Sequence, residues 1–188
     1  LQATARLAYL LGSRNQESST SAYDFRARNA DSILGDIVHS KPVFVGGADL
    51  NWPDTGAFDY GSGKHYSDFA STVADRSGTV YAGGNDGALH GFDADTGVEV
   101  LAYYPAHLAD TNLASGYHYL TDPDYSHRYF VDGSPVVGDA FIEGAGSASA
   151  AWRTVLLGTD RAGGRGIFAL DVTDPDDCAA LFGATTKA

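Results

Sequence analysis

Asp93-Ala94-Asp95-Thr96-Gly97-Val98-Glu99 spaces carboxylates along a turn, the arrangement a hard cation such as calcium selects because it is bound through oxygen. An EF-hand-type loop starting at Asp93 requires glycine at its sixth position and glutamate at its twelfth, where this chain has Val98 and Tyr104. The preferred reading is a hairpin turn in which Asp and Thr side chains satisfy the backbone and Gly97 supplies a positive φ. The segment Tyr117-His118-Tyr119-Leu120-Thr121-Asp122-Pro123-Asp124-Tyr125-Ser126-His127-Arg128-Tyr129 concentrates histidines, carboxylates and aromatic rings that could ligate a metal. It has neither a His-x-x-x-His pair on a helix nor a cysteine pair, so hydrogen-bonded loop packing is expected. Gly163-Gly164-Arg165-Gly166 lacks the Lys-Ser/Thr pair and following helix of a phosphate loop and reads as a turn. Asn85-Asp86-Gly87 reads as a type I′ hairpin turn with no chemistry of its own. No Gly-x-Ser-x-Gly elbow is present. Catalytic residues: none; cofactor-binding residues: none; metal-binding residues: none.

The elements that would carry these turns follow from periodicity. Leu1, Ala5, Leu7, Ala8, Leu10 and Leu11 have helical spacing, so a short helix opens the chain. A polar, turn-rich connection follows over residues 12–21, and residues 1–33 are expected to be helix plus connection. From Leu34 the pattern becomes short β-type runs separated by Gly, Asp and Pro. An internal repeat decides the architecture. Ile37-Val38-His39-Ser40-Lys41-Pro42-Val43 matches Val131-Asp132-Gly133-Ser134-Pro135-Val136, with the prolines 93 positions apart. Val80-Tyr81-Ala82-Gly83 followed by Leu89-His90-Gly91-Phe92-Asp93 matches Val155-Leu156-Leu157-Gly158 followed by Ile167-Phe168-Ala169-Leu170-Asp171. Four short strands per copy is the signature of a propeller blade. The predicted fold is all-β: a partial β-propeller of about two four-stranded antiparallel blades with long inserts, behind a short N-terminal helix. Residues 34–188 form the partial propeller, with blade one at about 34–105, blade two at about 130–188, and inserts at about 46–76 and 105–129. Long connections without structure of their own tend to be functional, so the inserts are where binding is expected. Two blades leave open sheet edges, which the remaining propeller blades or self-association would cover.

Composition narrows the partners. A formal charge of −12 repels phosphate backbones and anionic lipid, so no nucleic acid is expected as a partner. No apolar run approaches the length of a membrane span, so no membrane insertion is expected. The chain opens on Leu1 and contains no Met, and an export signal would lie upstream. Its single cysteine, Cys178, either pairs outside this segment or stays free.

The ordered phrases also resemble a known family. Leu7-Ala8-Tyr9-Leu10-Leu11-Gly12-Ser13, Leu34-Gly35-Asp36-Ile37-Val38-His39-Ser40-Lys41-Pro42-Val43, Gly83-Gly84-Asn85-Asp86-Gly87-Ala88-Leu89-His90-Gly91-Phe92-Asp93, Asp124-Tyr125-Ser126-His127-Arg128-Tyr129 and Gly163-Gly164-Arg165-Gly166-Ile167-Phe168-Ala169-Leu170-Asp171 are similar to the PilY1 family of type IV pilus tip and biogenesis proteins. The resemblance implies the C-terminal propeller of an exported protein. It implies a non-enzymatic extracellular module at the pilus tip that supports pilus assembly, retraction and surface adhesion. Implied partners are minor pilins or other tip components and a host or abiotic surface. No cofactor is implied within this segment; the family's calcium-binding Asp-rich loop would lie downstream of Ala188. The Gly-Asn-Asp-Gly phrase is shared with quinoprotein propellers, so a pyrroloquinoline-quinone dehydrogenase is the alternative, and a stand-alone self-assembling extracellular subunit is a third reading.

Overall fold

A computed structural model describes residues 1–144, 147, 149–175 and 179–180. Helix α1 (Gln2–Leu10) opens the chain as its spacing predicts. Two four-stranded antiparallel sheets follow. The first runs β1 (Val43–Val45), β2 (Thr79–Gly83), β3 (Leu89–Asp93) and β4 (Glu99–Tyr103). The second runs β5 (Val136–Glu143), β6 (Ala150–Thr159), β7 (Ile167–Asp171) and the two-residue β8 (Ala179–Ala180). Strand order equals chain order in both sheets, the up-and-down meander of propeller blades, and the two sheets do not close a ring. Cys178 lies outside the described residues.

The blades are bound by one apolar core. Tyr81, Leu89, Leu101 and Tyr103 of the first sheet meet Leu156, Phe168 and Leu170 of the second, with Leu120, Phe130 and Val131 from the connection between them. All of these are nearly inaccessible to water. Register fixes which face each blade commits to this core, because side chains alternate across a strand. Thr79 pairs with Asp93 in blade one, and Val155 pairs with Asp171 in blade two. The structural equivalent of Tyr81 is therefore Leu157 rather than Leu156, one residue off the alignment that sequence similarity suggests. A one-residue slip exchanges faces. Leu156 accordingly points into the shared core while Leu157 is on the outer face. The β3 and β7 phrases need no such shift.

The repeated Ser-Pro phrases touch each other directly. The Lys41 backbone N–H donates to Ser134 Oγ at 3.0 Å, and Ser134 Oγ donates to the His39 carbonyl at 3.3 Å. His39 Nδ1 donates to Asp132 Oδ2 at 2.7 Å, and the Asp132 carboxylate is fully buried.

The inserts are structured rather than loose. The first carries α2 (Tyr66–Thr72), whose Tyr66 and Phe69, with Val73 at its C-cap, have the spacing of a helical stripe and pack on Trp152 of the second blade. Tyr66 Oη donates to Asp139 Oδ2 at 2.6 Å, and Trp152 Nε1 donates to the Lys64 carbonyl at 3.1 Å. Burial, then the Asp139 contact, pushes the Tyr66 hydroxyl up to about 12. The Arg76 guanidinium donates to Thr154 Oγ1 at 2.9 Å and to the Thr173 carbonyl at 3.1 Å. An insert that begins in blade one thus fastens blade two. The second insert carries α3 (Gly116–Leu120), whose Tyr117 and Leu120 enter the shared core.

The β2–β3 turn corrects the type I′ expectation. That turn needs positive φ at both central residues. Here only Gly87 has it, at 97°, and Gly84 N–H donates to the Ala88 carbonyl at 2.8 Å. This is the three-residue connection in which a type I-like turn is followed by a left-handed glycine. The Asn85 and Asp86 side chains are thereby freed for inward contacts. Close approach also fixes a glycine on the neighbouring strand: a Cβ on Gly83 would stand 2.2 Å from the Val131 carbonyl oxygen. Gly83→Ala is expected to cost about 1–3 kcal/mol, the usual penalty of overpacking, read as a lowered denaturant midpoint; an unchanged midpoint would show that the blades can separate there without loss.

Candidate functional site

A cavity of about 540 Å³ lies on the outer face of blade one, beneath the N-terminal segment. Its size falls within the roughly 300–1,000 Å³ of ordinary ligand clefts. Phe92, Ala102 and Tyr104 line the sheet side, and Leu10, Ile33 and Leu34 line the other. The N-terminal wall is held by Arg28. This guanidinium donates to Glu17 Oε1 at 2.5 Å, to the Tyr9 carbonyl at 2.7 Å and to the Ser13 carbonyl at 2.6 Å, and it lies 3.8 Å over the Tyr9 ring. Tyr104 Oη ties the wall to the sheet by donating to the Leu10 carbonyl at 2.6 Å. Burial, followed by the negative charge of Asp86 and Glu99, drives the Tyr104 hydroxyl well above its ordinary range.

At the floor sits a charge cluster around the buried His90 that sequence reading did not identify. His90 Nδ1 faces Glu99 Oε1 at 2.6 Å, and Nε2 faces Asp86 Oδ1 at 3.0 Å. A neutral imidazole donates from one nitrogen only, so two carboxylates on opposite sides call for the doubly protonated ring. Burial opposes that charge, but the hydrogen bonds and attraction of Asp86 and Glu99 outweigh it, and the His90 pKa is pushed from 6.5 up to about 9. Burial alone would raise Asp86; hydrogen bonds from His90, Gly35 and Ala88, with the imidazolium charge, hold it below its ordinary value. Asp86 Oδ2 accepts from Gly35 N–H at 2.7 Å, and Asn85 Oδ1 accepts from Phe130 N–H at 3.1 Å. The turn residues therefore bind the N-terminal segment and the interblade connection at once. Their spacing gave one usable signal, since Asp86 and His90 straddle a hairpin four residues apart.

The sequence-singled segments take these positions. Asp93 Oδ1 accepts from Thr96 N–H at 2.7 Å and from Thr96 Oγ1 at 2.6 Å, and Gly97 has φ 72°, so the calcium-like turn folds as a hydrogen-bonded hairpin. Within residues 117–129, Tyr117 Oη donates to the Pro105 carbonyl at 2.7 Å, Arg128 covers the Tyr119 ring at 3.5 Å, and His127 Nε2 meets Asp36 Oδ2 at 2.9 Å. His118 stands apart, its pKa lowered by burial and by Arg6. The Gly163–Gly166 region closes over a buried carboxylate: Asp160 Oδ2 accepts from Gly166 N–H at 3.0 Å and from His107 Nε2 at 2.8 Å. Among the described residues no group of three or more His, Cys, Asp or Glu is placed to hold a metal ion.

The site and the blades can be set against known proteins. A profile of the PilY1 beta-propeller domain matches residues 34–185, which takes in both sheets. The chain belongs to the PilY1 β-propeller family. It is 44% identical over 180 residues to the type IV pilus biogenesis factor PilY1 of Pseudomonas aeruginosa strain PAK, covering 94% of this chain and 14% of that protein. It is 39% identical over 181 residues to a type IV pilus biogenesis factor PilY1 homolog of Xylella fastidiosa strain Temecula1, covering 96% of this chain and 14% of that protein. The crystal structure of the Pseudomonas aeruginosa PilY1 C-terminal domain matches with a TM-score of 0.52 and 40% identity, over 76% of this chain and 25% of that one. The chain thus spans about one seventh of the length of the curated relatives it matches. These relatives are named as type IV pilus biogenesis factors. Among the described residues no helix is long and apolar enough to cross a membrane.

The His90 cluster makes stability depend on pH with a definite sign. A folded pKa of about 9 above an ordinary 6.5 means the stabilisation is complete below the lower value and lost as pH rises through the upper one. Unfolding free energy is expected to fall by on the order of 2–3 kcal/mol between these limits. His90→Gln should flatten the curve over that window, as followed by denaturant titration; an equal slope in the variant would place the titrating group elsewhere.

Proposed function

We propose that the chain is a binding and assembly module within the propeller of an exported type IV pilus biogenesis protein, supporting pilus extension and retraction and contact at the pilus tip. The observation that carries this reading is the family match across both blades at 44% identity to a named pilus biogenesis factor. The reading is non-enzymatic. His90 is clamped on both nitrogens by Asp86 and Glu99, so it is not a free general base.

The contact surface in this reading is the first insert. Trp52 stacks on Phe58 at 4.8 Å, and Tyr60 stacks on Phe141 at 3.7 Å, while both rings remain well exposed. Rigid, half-exposed aromatic rings supply contact area at little entropic cost. Minor pilins or other tip components on one side, and a host or abiotic surface on the other, are the partners this reading assigns, and it places the module outside the cell. Calcium would act through residues downstream of this segment.

The test is genetic. Removing the full-length gene should strip most pili from the cell surface and abolish twitching, counted by electron microscopy and by twitching-zone diameter. Trp52→Ala with Tyr60→Ala in the full-length protein should restore pilus number yet leave surface attachment several-fold below the parent. Unchanged pilus number in the deletion strain would overturn the reading, and pyrroloquinoline-quinone absorbance in the purified full-length protein would favour the dehydrogenase instead.

A further inference from the structure

Resting on the contact role given above to the first insert, we infer that its partner there is an arginine-rich segment of another protein, bound with guanidinium groups over the Trp52 and Tyr60 rings and against the carboxylates of Asp54, Asp59 and Asp68. The β1–β2 connection occupies residues 46–78, where blade two joins β5 to β6 through residues 144–149. The added length places an aromatic shelf against blade two. Trp52 has one face on Phe58 and Tyr60 has one face on Phe141, and Phe58 and Phe141 both rest on the Tyr66, Phe69 and Trp152 cluster. Trp52 and Tyr60 themselves are each 38% exposed. Gly56, Gly61 and Gly63 between them have positive φ, and a Cβ on any of the three would meet nothing within 4 Å, so the described chain does not roof the loop. Rings backed by packing and open on the other side are a preformed surface on which a planar cation stacks.

The charge beside the rings selects the sign of the ligand. The insert carries Asp49, Asp54, Asp59, Asp68 and Asp75 against Lys64 and Arg76, and Arg76 is turned inward onto Gly46, Thr154 and Thr173. Three of the carboxylates converge on one imidazole. His65 Nε2 lies 3.3 Å from Asp59 Oδ1, His65 Nδ1 lies 3.8 Å from Asp68 Oδ2, and the His65 charge also acts on Asp54. The Asp59 and Asp68 side chains are 51% and 54% exposed, and His65 is their only ion-pair partner among the described residues. Hydrogen bonds from Ser67 hold Asp54 below its ordinary value, which keeps it ionised. One imidazolium cannot balance three carboxylates, so the group stays negative whether or not His65 is protonated. Among the described residues no group of three or more His, Cys, Asp or Glu could hold a metal ion, so the cluster calls for a cation spread over several side chains. A guanidinium meets both features at once, because it stacks on an aromatic face and pairs with a carboxylate through two parallel N–H donors; an ammonium acts as a point charge.

Fluorescence anisotropy of the full-length protein tests this with a labelled peptide of alternating Gly and Arg, beside matched Gly-Lys and Gly-Glu peptides. The Arg peptide should bind several-fold more tightly than the Lys peptide, and the Glu peptide not at all. Asp54→Asn with Asp59→Asn and Asp68→Asn, which keeps size and hydrogen-bond acceptors, should weaken the Arg peptide about tenfold. The exposed Asp31, Asp95 and Asp124, changed together to Asn, should weaken it less than about twofold. Trp52→Ala with Tyr60→Ala should weaken it several-fold and remove the preference for Arg over Lys. Equal losses in the two Asn variants, or an Arg peptide indifferent to the aromatic variant, would overturn the inference. Tighter binding of glucosamine oligomers, which carry ammonium groups without guanidinium planes, would assign the shelf to a polysaccharide and would also overturn it. Cell attachment separates this chemistry from the contact role: a defect in the aromatic variant beside parental attachment in the Asp54, Asp59 and Asp68 variant would overturn the basic partner and leave the contact role standing. Parental attachment in both, with the peptide results as expected, would remove the contact role and leave the basic-ligand site standing.

Discussion

A four-stranded meander alternates its side chains between two faces, so a single blade with apolar residues on both faces cannot keep them from water by itself. The contact that resolves this here is the interblade core, where Tyr81, Leu89, Leu101 and Tyr103 meet Leu156, Phe168 and Leu170. The rest of the molecule depends on it. The duplicated Ser-Pro phrases can hydrogen-bond to each other only because the sheets are already stacked. The first insert can reach Trp152, Asp139 and Thr154 only because blade two lies beside blade one. Apolar stacking sets the arrangement, and these polar contacts lock its register.

Charge pairing follows at the edges of the core. Five of the six histidines meet carboxylates, and the pairs His39–Asp132, His107–Asp160 and His127–Asp36 join segments far apart in the chain. Charges taken out of water are tolerated only when paired and hydrogen-bonded. The Asp86–His90–Glu99 cluster meets that condition while also holding Gly35, so one cluster links the β2–β3 turn, strand β4 and the N-terminal segment. His90 therefore serves as a structural cation at one joint of a strongly acidic chain.

The blade count and the opening helix were legible because both repeats keep the Pro-Val entry and the Leu/Ile…Asp exit, and because Leu7, Leu10 and Leu11 are spaced for a helix. The phase of β2 against β6 was not. Val80-Tyr81-Ala82-Gly83 and Val155-Leu156-Leu157-Gly158 are apolar on both faces, so alternation gives no mark of which face is inward, and only the hairpin register decides it. Helix α2 was hidden by the Gly- and Asp-rich composition around it, although Tyr66, Phe69 and Val73 carry the stripe. The turn at Asn85-Asp86-Gly87 looked like the commonest tight hairpin, but contacts with Gly35 and Phe130, which are remote in sequence, select another geometry. The cleft was unreadable for the same reason, since its walls come from residues 9–36 and from strands more than fifty positions later.

If the shared core makes the two blades one cooperative unit, a cavity cut on one side must loosen the other. Hydrogen exchange on the full-length protein, with Leu156→Ala as the perturbation, tests this directly. The account predicts that amides of β2 and β3 speed up together with those of β6 and β7, in the same proportion, as expected for one cooperative opening. Acceleration confined to β6 and β7, with the first blade unchanged, would contradict it.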